Sequence, residues 1–173
     1  MPAYPDAFEP MSAVYLHLVL SHVPVLGLLC GFGLHLTGLL LPSRKVKRVS
    51  LVIFILTGMA TAPLYFSGES AGESATKMLG AVPEMVQSHE DAAMVVFIGT
   101  TLLGLSSLVG FFTTTRKRSL PRSASIGLLL MAGVVMLLAV RASHLGLRIR
   151  HPEIREDAPV LPGGAPTSVI YDP

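Results

Sequence analysis

MSAVYLHLVLSHVPVLGLLCGFGLHLTGLLL, residues Met11 to Leu41, runs without a single Asp, Glu, Lys or Arg. The hydrocarbon core of a bilayer takes about 20 helical residues to cross, and this stretch exceeds that. Three further apolar runs follow: Val49 to Ser67, Ala92 to Thr113 and Ala124 to Ser143. The chain of 173 residues is 51% hydrophobic and 14% charged, with a mean hydropathy of +0.62. A soluble domain of this size needs more charge to cover its surface. These observations predict an all-α fold, an integral membrane four-helix bundle with helices over about 11–41, 47–67, 88–113 and 123–148. Residues 1–150 then form the membrane domain, and 151–173, with five prolines and the Gly163–Gly164 pair, an extended tail.

Charge distribution sets the expected orientation. Arg44, Lys45, Lys47 and Arg48 lie between the first two runs, and Arg116, Lys117, Arg118 and Arg122 between the last two. Short basic loops stay in the cytoplasm, so both termini and the Gly68 to Glu90 segment are expected on the extracytoplasmic side. That segment agrees, with Glu69, Glu73, Glu84 and Glu90 against Lys77, and is expected to be partly helical. The acidic, proline-rich MPAYPDAFEP lacks the basic region of a signal peptide, so the first run reads as a retained helix. Localisation in a bacterial inner membrane is the corresponding expectation. Nucleic-acid binding is set aside, because the basic clusters are topogenic loops.

Cys30 is the only cysteine, which excludes an internal disulfide, a cysteine-rich iron–sulfur site and a C-x-x-C-H haem attachment. Gly27 and Gly31, and Gly99 and Gly104 with Ser106 and Ser107, provide close-approach positions for helix packing. Pro24 and Pro63 each remove an intrahelical hydrogen bond and are expected to kink their helices. Thr57, Thr61 and Ser67 read as interhelical hydrogen-bonding groups.

The chemistry concentrates in histidine. Counting about 20 residues per crossing from the basic loops brings His22, His89 and His144 to one depth near the outer edge, with Glu69 beside them and His17 just above. Ionisable side chains at membrane depth are costly and mark cofactor, proton or ion sites. His17 and His22 are five residues apart, about 140° around a helix, so only one faces the bundle interior. His22, deeper and beside Pro24, is the expected inward one. His35 shares a face with His17 but lies about 27 Å away along the axis, with no histidine partner at its level. Arg141, His144 and Arg148 form one stripe, and Arg141 calls for an anionic partner such as Glu69, Glu73 or a haem propionate, or else snorkels to headgroups.

Two site chemistries fit this layer. A b-type haem would be held by two imidazoles from different helices, His22 with His89 or with His144, with Met59, Met85 or Met94 as substitute axial ligands. Alternatively His22, His89 and His144 with Glu69 would bind a single zinc or iron ion. The plain structural reading has the same histidines binding water or lipid headgroups.

The segment HLVLSHVP, His17 to Pro24, resembles the HPxxVHFP opening of a family of small bacterial four-helix membrane proteins without a defined chemistry. The histidine spacing and the closing proline agree, while Leu18, Ser21 and Val23 stand where the family has proline, valine and phenylalanine. Thr57–Gly58, the SGESAGE stretch and the SHEDAA segment around His89 resemble its second- and third-helix landmarks. The resemblance implies the four-helix topology, a special role for His17, His22 and His89, and a place beside respiratory or cytochrome-containing assemblies.

The functional expectation is a small electron-transfer subunit with one b-type haem near the outer face. It would work between membrane quinol and an outer redox protein, or inside a larger membrane complex. The alternative is a cofactor-free accessory subunit of such a complex. A stand-alone enzyme or transporter lacks support, since there is no nucleophile constellation and no pair of matched broken helices.

Overall fold

The computed structural model describes residues 13–79, 82–114 and 119–151. The proline-rich tail beyond His151 and the basic residues Arg116 to Arg118 lie outside them. The described residues form five helices: α1 (Ala13–Leu20), α2 (His22–Leu40), α3 (Arg44–Leu79), α4 (Pro83–Thr113) and α5 (Arg122–Arg150). Helices α1 and α2 together make one membrane-length element, Tyr15–Leu40. With Arg44–Gly68, Pro83–Thr113 and Arg122–Ile149 it completes four helices long and apolar enough to cross a membrane. This is the architecture of a multi-pass membrane protein.

The first predicted helix is interrupted at Ser21, three residues before Pro24. A proline in a helix interior has no N–H for the carbonyl four residues back. Pro63, by contrast, lies inside α3 without ending it. α3 runs on to Leu79 and α4 begins at Pro83, with Val82 outside both, so the Gly68 to Glu90 stretch is helical in part, as expected, and its first portion is continuous with the apolar part of α3. The 36 residues of α3 rise about 54 Å, well beyond a hydrocarbon core of about 30 Å. α4 starts at Pro83, earlier than expected, with proline in the first turn and Glu84 complementing the helix N-terminus.

Small residues let the helices close on one another. A Cβ on Gly31 would sit 2.5 Å from Phe54 Cε1, and one on Gly27 would strike Thr57 Oγ1. On α4, Gly104 packs against Phe54 and Gly58 of α3, while Gly99 meets Val135 of α5. The centre of the bundle is Leu28, Leu51, Phe54, Leu103 and Ala132, all essentially inaccessible. A small satellite core of Val86 and Ile149, with Met85 against it, ties α4 to the end of α5. At the basic end, the Arg48 guanidinium donates to the Thr114 carbonyl and lies 4.3 Å above the Phe111 ring.

Candidate functional site: two imidazoles at the end opposite the basic loops

His17 on α1 and His89 on α4 meet at the end of the bundle away from Arg44–Arg48. Their ring centroids are 6.5 Å apart and the rings are nearly perpendicular, at 82°. His17 Nδ1–H donates to the Leu64 carbonyl at 3.2 Å and reaches Ser67 Oγ at 3.3 Å, while Ser67 Oγ–H donates to the same carbonyl at 2.8 Å. His89 Nδ1–H donates to the Ala142 carbonyl at 2.9 Å. A carbonyl oxygen only accepts, so each neutral ring carries its proton on Nδ1 and a lone pair on Nε2. Neither Nε2 makes a hydrogen bond among the described residues.

Both anchoring carbonyls stand four residues before a glycine, and the closer fit is at Gly146. Gly68 lies four residues after Leu64, and Gly146 four residues after Ala142. A helical carbonyl already accepts the N–H four residues on and keeps a second lone pair for a side chain. A missing Cβ at that following position lets an imidazole lie against the backbone. A Cβ on Gly146 would stand 3.0 Å from His89 Cε1, and one on Gly68 would stand 3.5 Å from His17 Cε1. Glycine costs about 1 kcal/mol relative to alanine inside a helix, so such positions call for a packing reason.

The expected inward choice is reversed. His22 is exposed, its Nδ1 only 3.3 Å from the neighbouring Ser21 Oγ, and His17 faces the bundle instead. The angular argument that only one of the two points inward holds, but depth was the wrong criterion for choosing it. His144 is also exposed, two residues beyond the Ala142 carbonyl and turned away from it. The pairing His22 with His89 or His144 is therefore not the one brought together; His17 and His89 are. Among the described residues no three His, Cys, Asp or Glu side chains form a metal-holding group. Glu69 lies on α3 with its side chain outside the described set. Met59 and Met94 face outward and Met85 packs in the satellite core.

Arg141 is exposed and lines a cleft between α4 and α5 with Ser88, Asp91, Ala92, Val95 and Leu138. Its acidic neighbour there is Asp91, a residue the sequence pattern had not singled out, while Glu73 is exposed on the extension of α3. Leu64, Ser67, Gly68, Ala142 and Gly146 were likewise missed as site residues. The available signal was a glycine within each predicted helix at the depth of a histidine on another.

His35 provides a contrast within the same chain. It is fully buried, with Nδ1 2.8 Å from Ser50 Oγ and Nε2–H donating to the Ser125 carbonyl at 3.2 Å. Both ring nitrogens are used.

The chain matches no protein-family model, no curated protein and no solved structure.

Proposed function

We propose that this protein is a small membrane electron-transfer subunit that holds one b-type haem between His17 and His89. The observation carrying this reading is the pair of neighbouring imidazoles, each with Nδ1–H tied to a backbone carbonyl and Nε2 left over. A carbonyl that accepts the Nδ1 proton fixes tautomer and ring orientation and raises the basicity of the other ring nitrogen. The ring centroids of His17 and His89 lie 6.5 Å apart, in an edge-to-face arrangement.

The donor set among the described residues favours haem over a bare metal ion. A bare zinc site needs four ligands, and the described residues supply two imidazoles without a third neighbour of metal-binding type. Haem brings four nitrogens of its own and asks the protein for two axial ligands. When bound, it supplies reversible one-electron transfer. The chain's own part is to hold both imidazoles in one tautomer, and the Gly68 and Gly146 surfaces hold the rings in place.

The positive-inside rule adds the setting. Basic loops in the cytoplasm put both termini and the imidazole pair at the extracytoplasmic face of a bacterial inner membrane. There the subunit would exchange electrons with membrane quinol and an outer redox protein, within or beside a respiratory-type complex. Membership of the HPxxVHFP-type family belongs to the same proposal, since HLVLSHVP and SHEDAA contain the two ligands.

The test is a dithionite-reduced minus air-oxidised spectrum of the full chain, purified in mild detergent after expression with haem supplied. A sharp α-band with about one haem per chain is expected, lost in His17→Ala and in His89→Ala and retained in His22→Ala and His144→Ala. A featureless spectrum from folded, haem-supplied protein would replace this reading with the cofactor-free accessory subunit. Loss of the band in His22→Ala but not His17→Ala would overturn the ligand assignment.

A further inference from the structure

We propose that the α4–α5 cleft is a binding site for a phospholipid headgroup carrying both a phosphate and a primary ammonium, the phosphatidylethanolamine class. The cleft measures about 250 Å³ and is lined by Ser88, Asp91, Ala92, Val95, Leu138 and Arg141. Arg141 lies nineteen residues along α5 from Arg122, and Asp91 twenty-two residues from Thr113 on α4. At 1.5 Å per residue both stand about 30 Å from the basic end, the thickness of a hydrocarbon core. The polar groups are thus at headgroup level. Ala92, Val95 and Leu138 continue the cleft toward the hydrocarbon, with Val95 about half exposed.

The two walls have opposite hydrogen-bonding character. On α4, Ser88 Oγ–H is already donated to the Glu84 carbonyl at 2.7 Å, so that hydroxyl offers lone pairs only. Asp91, one turn further along, takes a hydrogen bond from Gln87 Nε2 on Oδ1 at 2.9 Å and has its second oxygen available. This wall is acceptor-only and anionic. On α5, Arg141 presents a guanidinium, which donates and never accepts. It makes no hydrogen bond or ion pair among the described residues, although Asp91 lines the same cleft. Two opposite charges that share a cleft without closing on each other match a ligand with the complementary pair.

An ammonium on Asp91 and Ser88 with a phosphate on Arg141 satisfies both walls through charge-assisted hydrogen bonds. Phosphatidylcholine has the same charges, but its quaternary nitrogen has no N–H to donate. Phosphatidylglycerol lacks the cation and would meet Asp91 with like charge. The acyl chains would follow Ala92, Val95 and Leu138 into the bilayer.

The experiment is native mass spectrometry of the full chain released from detergent micelles, titrated with phosphatidylethanolamine, phosphatidylcholine and phosphatidylglycerol of identical chains. The first is expected to be retained about tenfold better than the other two, which corresponds to about 1.4 kcal/mol. Asp91→Asn should erase that preference, and Arg141→Gln should weaken all three. Both side chains are exposed, so neither variant should disturb folding. Millimolar O-phosphoethanolamine, which lacks acyl chains, should not displace the lipid. Equal retention of the three lipids, an unchanged preference in Asp91→Asn, displacement by the soluble headgroup, or a neutral quinone occupying the cleft would each overturn the proposal. None of these readouts depends on haem, so a featureless absorption spectrum leaves it standing.

Discussion

The two ends of the bundle use histidine in opposite ways. At the basic end, His35 is sealed in the core and both its nitrogens are committed, one to Ser50 and one to Ser125. At the other end, His17 and His89 each commit one nitrogen to a backbone carbonyl and keep the other. An imidazole that is fully satisfied ties helices together; α2, α3 and α5 meet at His35 through these bonds. One that is half satisfied and held in a single tautomer is equipped to bind something else. The difference is visible only as hydrogen-bond bookkeeping, because all three residues lie within membrane-length helices.

The sharpest way to break this comparison is to exchange its outcomes. His17→Ala or His89→Ala should abolish the haem α-band while leaving the apo-protein folded, read by absorption and by circular dichroism. His35→Ala should leave ligation intact but destabilise the bundle by about 2–4 kcal/mol, through the core cavity it opens between α2, α3 and α5. Thermal unfolding in detergent measures this, and a lost α-band in stably folded His35→Ala would collapse the distinction.

Smaller changes sharpen it. Gly146→Ala places a methyl 3.0 Å from His89 Cε1 and should displace the ring, giving partial haem loss or a shifted band. Gly68→Ala, with 3.5 Å available, should do less, so the order of the two effects tests whether the glycines position the ligands. Ser50→Ala should cost about 1 kcal/mol, because it removes one partner of His35 without opening a large cavity. Smallest of all, His22→Ala and His144→Ala should leave both the spectrum and the melting point within error, as exposed positions do.

The architecture was legible because it depends on quantities that a sequence carries directly. Run length against bilayer thickness locates all four membrane-length helices, and the glycines at 27, 31, 99 and 104 do stand at helix contacts. Helix at Glu69 and Glu73 was expected as well; what polar composition hides is its continuity with the apolar part of α3, expected to end near residue 67. The site was legible only in part. His17 and His89 were both among the candidates, but so were His22, His144 and Arg141, which face outward.

Length and apolar composition therefore determined by themselves that this chain folds as four membrane-length helices, and how far along each helix every histidine lies. Rotation about the helix axis was decided by the tertiary structure alone. A segment that is apolar on every side has no amphipathic stripe to set its phase, and His17 and His22 differ by about 140° of rotation with little else to separate them. What fixes the phase is packing: α1 lies against α3 where Leu64, Ser67 and Gly68 receive the His17 ring. On the other side of the pair, α4 lies against α5 where Ala142 and Gly146 receive His89. Those partners are 47 to 57 residues distant in the chain, and only the fold brings them together.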